Sequence, residues 1–254
     1  MRMSPEIPLR FEIVQPPAGE LSQFVLECKS PPLPPRKASG IEMQLLLESS
    51  SAVAASGGRI FETLDVIAHY RSIAGNLPSE YKNNVALWKG LQPNLATKPL
   101  KTIAIESDSP TGDIHFPGGV QRTDYCITYQ CGEAIGAMCA MATIPLDPPA
   151  PSTLTAVSMS IRELTSASIT ILYSTLPNYN PQQNKNWIGI WPGTGIPYPP
   201  APDPVALIQI TSPYNTYVVK IAFEPMPLPY TLVYFAGPDR SNIAAALSFN
   251  VQGS

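Results

Sequence analysis

Charge is scarce in this chain. Only 14% of its 254 residues are charged, 16 Lys and Arg against 19 Asp and Glu, for a net charge of −3 and a pI near 5.4. The cations are scattered, so the basic footprint that nucleic acid requires is missing. Histidine is scarcer still, at His69 and His115. Asp113 lies two residues from His115, but no G-x-S-x-G elbow supplies a nucleophile. The chain is therefore expected not to be an enzyme. The four cysteines, Cys28, Cys126, Cys131 and Cys139, form no C-x-x-C pair and no disulfide framework. They read as buried free thiols in a reducing compartment. Asp108, Asp113 and Asp124 lack the spacing of a calcium loop and read as solvated. Neither metal nor cofactor is expected. Long apolar runs are also missing. Residues 134–146 are too short to cross a bilayer, and Met1-Arg2-Met3-Ser4-Pro5 has no apolar leader segment. A soluble, cytoplasmic protein without an integral membrane segment is the expectation, with unconventional release left open.

Proline is plentiful, at 30 residues. It fits poorly inside helices and central strands, so it implies many loops and sheet edges. Pro31, Pro34 and Arg36 satisfy a P-x-x-P-x-R pattern of the kind SH3 domains bind, and also read as a stiff connector. A repeat organises the rest. Asn186-Trp187-Ile188-Gly189-Ile190-Trp191 echoes Asn83-Asn84-Val85-Ala86-Leu87-Trp88 at an offset of 103. At that offset Tyr70 matches Tyr173, Pro78 matches Pro181, Lys82 matches Lys185 and Gly90 matches Gly193. From Ile103 the offset is 105, matching Tyr125 with Tyr230, Tyr129 with Tyr234 and Gly132 with Gly237. A further three-residue insertion sets Ile135 against Ile243.

In the second copy, alternating β-branched and apolar runs predict strands over 168–175, 187–191, 205–211, 216–223, 230–236 and 243–251. Turns fall between them and no amphipathic helix is visible. The fold class is all-β: two tandem immunoglobulin-like antiparallel β-sandwiches related by internal duplication. Residues 1–146 are read as the first sandwich with extra N-terminal strands and the proline-rich segment, 147–151 as a linker, and 152–254 as the second sandwich. Residues 1–58 are read as adding to the first sandwich or crossing to the second. Trp88 and Trp191 are expected to fill the core position of the third strand, and Tyr129 and Tyr234 the tyrosine near the start of the sixth. The partner cysteine of such domains is missing, so no inter-sheet disulfide is expected.

The Asn186–Trp191 stretch resembles the D-W-I-G-[IV]-[FY] strand of SKICH domains and of related immunoglobulin-like domains. Tyr230-Thr231-Leu232-Val233-Tyr234 and Ala244-Ala245-Ala246-Leu247-Ser248-Phe249 resemble their closing hairpin. Asn186 stands where the family has Asp. The resemblance implies an interaction module and transfers no active site.

Aromatic and amide side chains crowd the predicted loops of the second copy. Tyr179, Asn180 and Asn184 fall in one loop, Tyr198 in a neighbouring connection, and Tyr214 and Asn215 in a third. Rigid aromatics beside amides suit both protein and sugar recognition. These six residues are the candidate ligand-binding set. The function read from the sequence is non-catalytic recognition of a protein ligand through end loops or sheet edges. Glycan binding by a lectin-like defence or toxin-associated protein is the alternative, and homo-oligomerisation through edges is a third possibility.

Overall fold

The computed structural model describes residues 23–24, 39–50, 63–120, 123–146, 150–199 and 201–251. The Pro31–Arg36 motif, Cys28 and most of the proposed linker lie outside them. The described residues form strands and no helix, so none is long and apolar enough to cross a membrane. The chain divides into two compact units. One holds residues 41–156 with 176–178, and the other holds 1–40, 157–175 and 179–254.

In the first unit, β3 (Glu42–Ser50), β4 (Thr63–Arg71) and β7 (Thr111–Val120) form one antiparallel sheet. The other runs β10 (Leu154–Ala156), β9 (Met138–Ile144), β8 (Tyr125–Gln130), β5 (Asn84–Lys89), β6 (Lys101–Ala104). In the second unit, β11 (Ser158–Leu164), β12 (Ser168–Ser174) and β15 (Thr216–Ala222) pair in that order. The partner sheet runs β17 (Ile243–Asn250), β16 (Pro229–Phe235), β13 (Trp187–Pro192), β14 (Ala206–Gln209). Counted from β3 and from β11, the first, second and fifth strands make one sheet of each sandwich. The third, fourth, sixth and seventh make the other. That is the immunoglobulin-like arrangement, without a strand beyond the fifth in the smaller sheet.

Equivalent contacts recur in both units. Tyr70 meets Tyr129 across the sheets at 5.6 Å between ring centroids and 53° between planes, and Tyr173 meets Tyr234 at 5.6 Å and 51°. Asn83 Nδ2 donates to Tyr129 Oη at 2.9 Å, and Asn186 Nδ2 to Tyr234 Oη at 2.9 Å. Lys82 and Lys185 both adopt positive φ, 54° and 56°. Each lets the following asparagine amide reach back, Asn83 N to Pro78 O and Asn186 N to Pro181 O. The closing hairpins bulge at one place, Tyr129/Gln130 and Tyr234/Phe235. Their register pairs Gln130 with Met138 and Phe235 with Ile243. Met138, not Ile135, is thus the counterpart of Ile243, and the three-residue insertion expected there is absent. The hairpin loops have equal length.

Two core assignments change. Tyr129 and Tyr234 face the opposing sheet, so strand alternation places their cross-strand partners Val85 and Ile188 inward. Trp88 and Trp191 have the opposite parity and lie on the outer faces. Trp88 Nε1 donates to Thr128 Oγ1 at 2.8 Å, and Trp191 Nε1 to Pro202 O at 2.9 Å. Both faces of these central strands are buried, so no exposed side betrayed the parity. The tyrosine hydroxyls each accept from a side-chain amide.

The described strands before residue 41 follow the crossing, one of the two readings of residues 1–58. β1 (Gln23–Phe24) pairs in parallel with β17 at Ser248 and Phe249, and β2 (Ser39–Gly40) pairs antiparallel at Ala245 and Ala246. Both extend the larger sheet of the second unit. In the first unit the same flank of β9 is covered by β10.

Cys126, Cys131 and Cys139 are free and buried. Burial pushes the Cys126 thiol up to about 12, and Cys139 is raised well above its ordinary value by burial beside Cys131. An unfolded Cys126 ionises near 9.0, so unfolding releases its proton between there and about 12. Its contribution is complete below pH 9 and declines by about 1.4 kcal/mol per pH unit above it. At pH 8 with iodoacetamide, peptide mass spectrometry is expected to find Cys126 and Cys139 unmodified until denaturant is added. Alkylation in native buffer at the rate of a free thiol would contradict their burial.

Candidate functional site

The six candidate loop residues do not converge. Tyr179 is only 2% exposed, and its hydroxyl donates to Asn186 Oδ1 at 3.1 Å. It is a core side chain, drawn in because the buried Asn186 amide needs a donor. Asn180 Oδ1 accepts from Gln183 N at 3.0 Å, and Asn184 Nδ2 donates to Asn180 O at 2.9 Å. These two amides build their own turn. Asn215 O accepts from Thr175 N at 2.6 Å, continuing the β12–β15 ladder. Tyr198 belongs to the connection after β13, while Tyr179 to Asn184 precede that strand and Tyr214 follows β14. Six residues of strand, roughly 20 Å, separate the two ends.

Tyr198 is half-buried within a connection lying over the outer face of the larger sheet. Thr231 Oγ1 donates to Gly193 O at 2.8 Å, Ser248 Oγ to Thr194 O at 3.3 Å, and Arg240 Nη1 to Ala201 O at 2.9 Å. Beneath it Trp187 stacks on Phe235 at 3.8 Å and 3°, with Trp191 6.1 Å from Trp187. Of the six, Tyr214 is the one fully presented, 66% exposed and 6.4 Å from the ring of Tyr217 at 25°.

Tyr214 leads into β15, which pairs with β12 on one side and ends its sheet. Thr175 N donates to Asn215 O, and Phe223 N to Ala167 O at 3.0 Å. With the intervening register, these bonds direct the backbone of Asn215, Tyr217, Val219, Ile221 and Phe223 toward β12. The N–H and C=O groups of Thr216, Val218, Lys220 and Ala222 therefore face the open edge. Val218 and Tyr217 are exposed beside them, and Val205 and Leu207 on and before edge strand β14 are exposed as well.

At the far end of β15 is a concavity of about 420 Å³ lined by Pro192, Val205, Ala222, Phe223, Met226 and Tyr230. Phe223 meets Tyr230 edge-on at 4.9 Å on its floor. Tyr230 Oη accepts from Met226 N at 3.0 Å. Its lining is apolar except at Glu224 and the Tyr230 hydroxyl.

The matching edge in the first unit, β7, is guarded against pairing. Ser72 N donates to Pro110 O at 2.7 Å, which fixes the parity of that ladder. Thr111, Asp113, His115 and Pro117 then face outward, at the positions of Thr216, Val218, Lys220 and Ala222. Pro117 has no donor, Asp113 hydrogen-bonds His69, and His115 Nε2 lies 3.5 Å from Asp65 Oδ2. A register shift between Leu64 and Val66 distorts the pairing. Proline, charge and bulge are the devices that keep an edge from pairing. β15 carries one of them, Lys220. Among the described residues, no three His, Cys, Asp or Glu side chains are grouped to hold a metal ion.

Sequence reasoning did not single out Val218, Lys220, Ala222 or Glu224, because which backbone groups of an edge strand face outward depends on its register. The contrast of Pro117 with Ala222 at the repeat offset was the available signal.

No protein-family model matches the chain, and no curated protein matches it. Among solved structures, the human OSCAR ligand-binding domain is similar at 12% identity, over 82% of this chain and 97% of that chain, with a TM-score of 0.24.

Proposed function

We propose that this is a non-catalytic recognition protein whose second sandwich receives an extended segment of a protein ligand along β15. The open backbone of Thr216, Val218, Lys220 and Ala222, set against the guarded edge at Pro117, supports this reading. Strand addition supplies main-chain hydrogen bonds, and a pocket at the end of the edge supplies selectivity. The concavity beside Ala222 has that position and an apolar lining. The shared offset, bulge and Asn–Tyr bonds support descent of both units from one duplicated sandwich. The buried free thiols suit a reducing, cytoplasmic setting.

The test is Ala222→Pro, which gives the second edge the residue the first one has. Ala222 N–H faces away from β12, so the substitution removes an outward donor and leaves the ladder within the sheet whole. Proteins cross-linked to the wild-type chain in an extract of its own cells, quantified by mass spectrometry, are expected to fall about tenfold with the variant. Equal capture by both would sink the reading. Reproducible glycan-array binding lost on Tyr214→Ala but kept in Ala222→Pro would favour sugar recognition on the exposed Tyr214–Tyr217 pair.

A further inference from the structure

We infer that, with no ligand strand in place, β15 joins two copies of this chain, antiparallel about a two-fold axis at Ala222; this rests on β15 being the open edge proposed above. An isologous pairing sets each residue against its mirror position, so the sequence of the edge decides which axis it tolerates. An axis at Lys220 would place two lysines opposite each other, which is unfavourable. An axis at Val218 sets Lys220 against threonine and leaves Glu224 unused. The axis at Ala222 sets Lys220 against the partner's Glu224 and Glu224 against the partner's Lys220. The small Ala222 meets its own copy at the centre. All three residues are exposed. One step out, Val218, 49% exposed, faces the partner's Met226, 61% exposed. The whole run Val218 to Met226 is thus self-complementary in charge and in apolar surface.

The backbone allows it. Phe223 N donates to Ala167 O, so the alternation continues past the end of β15 and turns Glu224 outward with Lys220 and Ala222. Pro225 has the parity that faces away from the incoming strand, and its missing donor interrupts nothing there. Met226 N is bonded to Tyr230 Oη, which ends the intermolecular ladder at Glu224. The edge at β7 cannot do the same. Pro117 stands where Ala222 does, and Gly119 where Glu224 does.

Sedimentation velocity of the full chain over a wide concentration range tests the inference. The expected result is a concentration-dependent dimer. Lys220→Glu and Glu224→Lys should each weaken it about tenfold by setting like charges together twice. The double swap Lys220→Glu/Glu224→Lys should restore it, and Ala222→Pro should be monomeric. Circular dichroism and denaturation midpoints confirm that each variant is folded. If Ala222→Pro fails to fold, the two charge variants and their swap decide alone. A monomer at every concentration, or a dimer indifferent to the charge reversals, overturns the inference, as does a double swap that stays weak. A monomer whose ligand capture still depends on Ala222 would leave the recognition reading standing. A restored dimer with capture unaffected by Ala222→Pro would sink that reading alone.

Discussion

Asn186→Ala is expected to destabilise the second sandwich by about 4 kcal/mol, the largest single effect on this chain. The amide is fully buried and joins two buried hydroxyls, donating to Tyr234 Oη and accepting from Tyr179 Oη. Its backbone is engaged too, with Asn186 O accepting from Ile210 N at 2.8 Å and from Gln209 Nε2 at 2.7 Å. Alanine keeps the backbone bonds and strips both hydroxyls of the amide, at about 1–3 kcal/mol each. The first sandwich provides the control. Asn83 holds the same place and donates to Tyr129, but its Oδ1 has no hydrogen-bond partner among the described residues. Asn76 stands at the position of Tyr179 and is too short to supply the phenol. Asn83→Ala therefore breaks one bond where Asn186→Ala breaks two, and should cost about half as much. Denaturant unfolding followed through domain-specific probes checks both. Equal losses for the two variants, or a loss below about 1 kcal/mol for Asn186→Ala, would contradict the shared-hub geometry.

Gly189→Ala is expected to cost about 2–3 kcal/mol, against the ordinary preference of strands for any side chain over glycine. A Cβ at Gly189 would lie 2.5 Å from Trp191 Cζ3, 2.6 Å from Trp191 Cη2 and 3.0 Å from Trp187 Cζ3. Neither indole has room to retreat. Trp187 is stacked on Phe235, and Trp191 is held by its bond to Pro202 O. The first sandwich already carries the compensated version. Ala86 replaces Gly189 and Asn84 replaces Trp187, while Trp88 is kept. In a Trp187→Asn background, Gly189→Ala should accordingly cost at least about 1 kcal/mol less than in wild type. A double-mutant cycle by chemical denaturation measures the coupling, and additivity would remove the two-indole clash as the cause. Tryptophan emission should shift to the red in the single variant as the stack opens.

The two hubs show what the sequence could disclose. Asn83 and Asn186, Tyr129 and Tyr234, and Lys82 and Lys185 were visible as matched pairs, because a repeated fold keeps the residues that hold its bends. Strand positions followed from apolar runs. The orientation of Trp88 and Trp191 did not, because strands buried on both faces have no polar side to set the phase. Tyr179 looked like a loop aromatic, since no local pattern shows that its hydroxyl turns inward to Asn186 across the intervening turn. Tyr198 and Tyr214 were grouped by composition, although a strand's length separates the ends they occupy. The open edge at Ala222 was the least legible feature. Which carbonyls face outward is decided by the register of β12 with β15, and no side-chain pattern encodes that directly.

Pro117 has a consequence for how the chain is made. Two sandwiches of like architecture on one polypeptide meet each other at high effective concentration while they fold, and tandem domains misassemble by exchanging equivalent strands. A nascent β7 that lacks an outward donor at Pro117 and carries Asp113 is a poor partner for the open edge of β15. On the reading proposed for β15, the proline keeps that receptive edge from trapping the first sandwich against it during synthesis.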